Sequence, residues 1–126
     1  MILLDTSAVL AFLWREPGHE RVAEMMDRAA ICSVNLGELV AKLVDRGASD
    51  EDCTAIVGAL ALDVRGFDGA VAMRAGALRR TTRPQGLSLG DRACLACAEV
   101  ERAEAVLTAD RAWGELAGAT PVEVIR

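Results

Sequence analysis

Apolar positions along this chain follow two spacings. Short unbroken runs, Ile2-Leu3-Leu4, Ala30-Ile31-Cys32 and Ala105-Val106-Leu107, have the character of strands buried on both faces, as in a parallel sheet. Ser33 closes the second run and Thr108 the third. Leu62-Asp63-Val64-Arg65 reads as a weaker strand and Pro121-Val122-Glu123-Val124 as a last, edge strand. Between these runs the apolar residues fall at helical spacing. Thr6 and Ser7 offer capping oxygens to a helix through Ala8-Val9-Leu10-Ala11, and Arg15-Glu16-Pro17-Gly18 breaks the chain after it. Pro17 suits the first turn of a second helix, carried to about Ala30 on Val22, Met25 and Met26. A third helix is predicted from Val34 to Arg46, with Gly47 as its C-terminal cap. Ser49 caps a fourth, whose first turn holds Asp50, Glu51 and Asp52, where the helix dipole favours acids. Asp68 caps a helix ending near Arg80, residues 81–86 form a loop, and Ser88 begins a helix to about Arg102. Asp110 to Leu116 reads as a short helix. Strands alternating with helices predict an α/β fold, a parallel sheet with helices on both faces.

Composition narrows the field. A chain of 126 residues is most simply one domain, able to bury about two-thirds of its unfolded surface. With 52% hydrophobic and 26% charged residues it is globular rather than disordered. No apolar run nears the ~18 residues of a membrane span, and the N-terminus lacks a signal-peptide pattern, so a cytoplasmic location is expected. The formal charge of −5 means that overall charge would not hold a nucleic acid. Such a partner would need a local basic face, or cations bridging acids to phosphates. Of the four cysteines, Cys94 and Cys97 form a CxxC, but no second CxxC exists and His19 is the only histidine. The stretch around them reads as a buried helix, in which free cysteine behaves as a small hydrophobe.

The chemistry lies in the acids. Asp5 ends the first strand, at the edge where open α/β sheets place ligands, although an Asp there also caps a helix. Asp110 ends the Val106-Leu107-Thr108 run in the same way. If those strands are neighbours, the two carboxylates share one crevice. Ser88-Leu89-Gly90-Asp91 matches a capping box, yet Asp91 also heads the stripe Cys94, Leu95, Ala98 and so starts on the inward face. Glu38 lies opposite the apolar stripe Leu36, Leu39, Val40, Leu43 and Val44, alongside Lys42, the only lysine, as a surface i,i+4 pair would. Four acids converging would repel, and divalent oxygen-seeking ions are the natural remedy.

Asp5 in LLDTSAVLA, Glu38 in SVNLGEL, Asp91 in LSLGDRACLA and Asp110 in LTADRAW resemble the acidic quartet of PIN domains, most of all the small VapC-type ribonuclease toxins of bacterial toxin–antitoxin pairs. The resemblance spans essentially the whole chain. It implies a PIN-like three-layer fold with sheet order 3-2-1-4-5, Mg²⁺ or Mn²⁺ as cofactor, a homodimer, and a cognate antitoxin that occludes the site. Thr108 matches the family's hydroxyl beside the last Asp and Ser7 a small polar residue beside the first, with Ser33 and Asn35 as looser matches.

That resemblance implies an endoribonuclease, with tRNA or rRNA as candidate substrates. Cleavage by paired histidines is impossible with His19 alone, and there is no tyrosine to serve as nucleophile. The metal route needs one or two ions, ~3.5–4 Å apart when paired, to activate a water and stabilise the leaving oxygen. Asp5 and Asp91 are the expected direct ligands. Glu38 and Asp110 complete the shell directly or through water, while Thr108 and Ser7 orient ligands or water. Arg92 and Arg111, each beside a quartet acid, and the dense stretch Arg79, Arg80 and Arg83 are candidate RNA contacts. Two other readings use the same residues. One is a catalytically silent PIN-like binding module. The other is a phosphoryl-transfer enzyme built on Asp5, which loses ground because Ser7 stands where a dehalogenase-type phosphatase wants a second Asp, and no lysine follows Lys42.

Overall fold

A computed structural model describes Met1–Arg126. Five strands form one parallel sheet in the order β3-β2-β1-β4-β5: β1 Ile2–Leu4, β2 Ala29–Cys32, β3 Asp63–Arg65, β4 Ala105–Thr108 and β5 Val122–Val124. The three strands with unbroken apolar runs are central, and the two mixed runs are the edges, as two-sided burial requires.

Side chains alternate across β1, so the sheet divides the apolar residues into two cores. Leu3, Ala30, Cys32 and Val106 face helices α5 (Gly69–Ala77) and α7 (Leu89–Val100). Ile2, Leu4, Ile31 and Leu107 face α1 (Thr6–Trp14), α2 (His19–Met25), α3 (Ser33–Asp45) and α4 (Asp50–Leu60). The result is a three-layer α/β fold. No helix is long and apolar enough to cross a membrane.

The structure moves several predicted boundaries. Pro17 does not open the second helix. Gly18 caps it at φ +94°, and a Cβ on Gly18 would clash with the Ile125 backbone, so only glycine lets the C-terminal segment pass. That helix stops at Met25, a 3-10 turn covers Met26–Arg28, and β2 therefore starts at Ala29. Ser33 belongs to α3 rather than to β2. The predicted loop over 81–86 is instead helical: α6 spans Arg79–Thr82, and a 3-10 turn, Arg83–Gln85, carries Pro84 in its first turn. Around Cys94 there is no single stripe, because α7 is buried on all sides from Ala93 to Ala98 between the sheet and α5. Other readings hold. Gly47 and Ala48 donate their amides to Val44 and Leu43 at the end of α3, a Schellman closure, and Asp68 caps α5 by accepting from the Val71 amide at 3.0 Å.

Candidate active site

Strands β1 and β4 lie side by side with Leu4 opposite Leu107, and the Asp5 amide continues the ladder to the Leu107 carbonyl at 3.1 Å. Asp5 and Thr108 thus leave the sheet together at its carboxyl edge. Asp5 caps α1, its Oδ1 accepting from the Ala8 amide at 2.9 Å and from Ser7 Oγ at 2.7 Å. Its Oδ2 accepts from Thr108 Oγ1 at 2.8 Å. Each hydroxyl spends its proton on Asp5 and accepts a backbone amide in turn, Ser7 from Ala109 and Thr108 from Asp110. Ser7 and Thr108 therefore fix the orientation of this carboxylate. Burial raises the Asp5 pKa to about 6, against the lowering pull of the bonds from Ser7, Ala8 and Thr108, and the charge of Asp91 adds to the rise.

Glu38 makes no ion pair with Lys42. Its Oε1 accepts from Thr6 Oγ1 at 2.9 Å and from Asn35 Nδ2 at 2.8 Å, so it turns toward α1 and not outward along α3. Asn35 is one turn earlier on the buried side of α3, and its amide also donates to the Gly90 carbonyl at 3.0 Å, tying α3 to the first turn of α7. Gly90 is where the fit is tightest. A Cβ built there would lie 2.7 Å from Glu38 Cδ, with both carboxylate oxygens also inside contact distance. The bare Cα is what admits Glu38.

Asp91 sits one residue on, half-buried. It forms the predicted capping box: its Oδ2 accepts from the Ser88 amide at 3.0 Å, and its own amide donates to Ser88 Oγ at 3.1 Å. Desolvation raises its pKa, the Ser88 bonds oppose the rise, and the charges of Glu38 and Asp110 reinforce it. Asp110 is exposed and caps the 3-10 turn Arg111–Glu115 through the Ala112 amide at 3.0 Å.

All four acids thus cap a helical turn or share polar hydrogens, and none has a cation. Elsewhere the chain pairs its acids freely: Glu16, Glu24, Asp63, Glu99, Glu101, Glu104 and Glu123 each meet an arginine. As they stand, no three acidic, histidine or cysteine side chains are grouped closely enough to enclose an ion. The donor set is nonetheless all oxygen, which suits Mg²⁺ or Mn²⁺ and not zinc. Burial, with the charge of Asp91 added at Asp5 and those of Glu38 and Asp110 added at Asp91, disfavours the ionised carboxylates, a cost that a divalent ion would relieve.

The arginines divide. Arg92, expected to reach phosphate, is buried against α5 and donates to the Ala75 carbonyl at 2.9 Å, because its position on α7 faces away from Asp91. Arg111, Arg79, Arg80 and Arg83 are exposed. All four cysteines are buried and unbridged, and Cys94 is pushed well up by burial, as for inert core thiols. Sequence reading gave Thr6 only a capping role and missed Gly90. No local signal marked the latter: Gly69, in the first turn of α5, has open space where its side chain would be, so a glycine early in a helix does not by itself show a close approach.

A parallel 3-2-1-4-5 sheet between helical layers, with acids from β1, α3, α7 and the β4 end at one edge, defines a PIN-like α/β domain. The PIN domain model matches residues 2–119, and the chain belongs to that family. Among solved structures it is similar to a toxin–antitoxin complex from Klebsiella pneumoniae (TM-score 0.76, 19% identity, 100% of this chain and 98% of that one). It is also similar to VapBC2 from Rickettsia felis bound to a DNA fragment from its promoter (0.75, 19%, 98% and 98%). VapBC-5 from Mycobacterium tuberculosis aligns at TM-score 0.61 and 27% identity over 98% and 96%. No curated protein matches significantly.

Proposed function

We propose that this chain is the toxin of a toxin–antitoxin pair and a Mg²⁺- or Mn²⁺-dependent endoribonuclease. One observation carries the reading: four carboxylates from separate elements lie at the carboxyl edge of the sheet without a cation, with Asp5 buried and Asp91 half-buried and the pKa of each raised in part by a neighbouring carboxylate. Asp5 and Asp91 would hold the ion, with Glu38 and Asp110 completing the shell directly or through water. An ion held there would supply Lewis acidity and a water of lowered pKa for phosphodiester hydrolysis. Ser7 and Thr108 keep Asp5 fixed by donating to it, so its lone pairs stay presented in one orientation. Thr6 and Asn35 do the same for Glu38. The toxin role is supported by the toxin–antitoxin complexes among the similar folds.

Two assembly expectations belong to the same reading. Leu36 and Val40 line an open groove with Cys53, Val57 and Gly58, and Val44 is about half exposed. Such a face suits a second copy of the chain or an antitoxin segment. Purified protein should cleave RNA with Mg²⁺ or Mn²⁺, stop with chelator, and leave 5′-phosphate and 3′-hydroxyl ends. Cyclic 2′,3′-phosphate ends would show attack by the RNA's own 2′-hydroxyl and overturn the mechanism. Uncleaved RNA under every metal would leave the silent binding module.

A further inference from the structure

We propose that α6 and the turn after it form a phosphate-binding subsite that holds the RNA backbone beside the acidic edge. The inference rests on the nuclease reading and adds the direction in which the substrate leaves the site. Its evidence is a second set of unpaired charges. Arg21, Arg28, Arg65, Arg74 and Arg126 each meet a carboxylate, Arg46 stacks on Trp14 at 3.9 Å, and Arg92 bonds a carbonyl. Arg79, Arg80 and Arg83 do none of these things; Arg15, Arg102 and Arg111 are also without a partner, but each stands alone in the sequence, whereas these three are clustered. No carboxylate lies within salt-bridge distance, and none of the three donates a hydrogen bond to the protein. They are exposed and crowded into five residues, in a chain of net charge −5 that has acids to spare.

The local shape is concave. Arg79 and Arg83, one turn apart on the same face, form the shared wall of two small recesses. One is floored by Thr82, Gly86 and Leu87, the other by Gly76 and Ala77. Guanidinium forks over small residues suit phosphate oxygens, which they can bond bidentately. The segment also adjoins the acids. After Arg83–Gln85 the chain turns at Gly86, buries Leu87 and enters the Ser88–Asp91 capping box. The Arg83–Gln85 turn packs on the Arg111–Glu115 turn, whose first residue follows Asp110. The basic groups therefore lie on the α7–β4 side of the acidic edge. A backbone whose scissile phosphate sits at Asp5 and Asp91 would run outward past Arg111 toward Arg83 and Arg79.

The test measures RNA binding separately from cleavage. A fluorescent 12-mer oligouridylate is titrated with the full chain in chelator at several salt concentrations, comparing wild type, Arg79→Ala/Arg83→Ala and a Lys42→Ala control on α3. Backbone contacts are sequence-independent, so the probe need not be the natural substrate. The double variant should melt like wild type, bind roughly 10-fold or more weakly, and lose about 0.7 in salt slope for each phosphate contact removed. Lys42→Ala should match wild type. Unchanged affinity and slope in the double variant would overturn the subsite even if wild type cleaves RNA. So would a variant that keeps RNA binding but loses an acidic protein partner that copurifies with wild type. Arginine-dependent RNA binding by a wild type that never cleaves would keep the subsite and defeat the nuclease.

Discussion

Two turns of this molecule are almost identical in local structure and opposite in chemistry. Ser49–Asp52 opens α4 and Ser88–Asp91 opens α7. Both are complete capping boxes with the same bond lengths: 3.0 Å from the serine amide to the aspartate, 3.1 Å from the aspartate amide to the serine hydroxyl. Yet the bonds from Ser49 hold Asp52 below the usual carboxylate range, while burial pushes Asp91 above it. The motif is the same, so the difference is environment. Asp52 looks into solvent, whereas Asp91 is half-buried and faces Glu38 and Asp110. A capping aspartate becomes a candidate metal ligand when the fold brings other carboxylates to it.

Exchanging each aspartate for the amide should break the comparison most sharply. Asn caps a helix about as well as Asp, so neither Asp91→Asn nor Asp52→Asn should unfold its turn. Asp91→Asn should cut cleavage by more than about 100-fold, the upper range for residues that only support a ligand. It should also shrink the rise in melting temperature that Mn²⁺ gives wild type, because that rise follows binding to the folded state. In chelator the same variant should melt at or above wild type. Asp52→Asn should leave cleavage and the Mn²⁺ response alone. Equal behaviour of the two variants would reduce Asp91 to a cap.

The third residue of each box extends the contrast. In α4 it is the exposed Glu51, and in α7 it is Gly90 beneath Glu38. Alanine at Gly90 puts a methyl where the Glu38 carboxylate lies. That carboxylate ends a flexible side chain, so it should move and the fold should hold, with the helix gaining up to ~1 kcal/mol in propensity. We expect Gly90→Ala to lose roughly 10- to 100-fold in cleavage with no fall in melting temperature. Adding Glu38→Asp, which withdraws the carboxylate by one methylene, should recover part of the loss. Glu51→Ala should do nothing. Wild-type activity in Gly90→Ala would show that Glu38 has no fixed position to defend.

These pairs also show what the sequence could and could not tell. The strands were legible because buried runs and strand ends are local signals, whereas their order 3-2-1-4-5 came from the resemblance to PIN domains and not from any local pattern. The partners of Glu38 were not legible. Periodicity alone set it beside Lys42, and only tertiary packing reveals Thr6 and Asn35 waiting on the other side. Arg92 misled for the same reason: adjacency to Asp91 says nothing about which face of a wholly buried helix it occupies. The helical turns at 79–85 were hidden by Pro84, which usually signals a loop but sits comfortably in a first turn.

Asp5 gives a third cap, the most buried of them, and a pH test. Its pKa rises from 3.8 toward about 6 on folding, so the folded state holds the proton more tightly. The stabilising contribution is complete below the unfolded value near pH 4 and is lost as pH rises through about 6. At pH 7 the ionised, buried group costs on the order of 3 kcal/mol. In chelator, Asp5→Asn should therefore gain on wild type as pH goes from 4 to 7. A gap independent of pH would mean that Asp5 is solvated enough to ionise freely. Asp52→Asn, whose carboxylate is favoured in the folded state, should show no such gain.

The smallest expected effect isolates the cap from the carboxylate. Ser49→Ala and Ser88→Ala each remove the hydroxyl that accepts from the third amide of its helix. Loss of an N-cap typically costs ~1 kcal/mol, or about 4 °C in a chain of this size. The bond geometry is the same in both boxes, so the two variants should lose similar amounts, read side by side by thermal melting in chelator. Neither should abolish the Mn²⁺ response. In each case the carboxylate keeps its bond from the serine backbone amide, which alanine retains. If Ser88→Ala removed the metal response while Ser49→Ala cost the same stability, the distinctive property of the α7 box would lie in the serine, and placing it in the crowding of Asp91, Glu38 and Asp110 would be wrong.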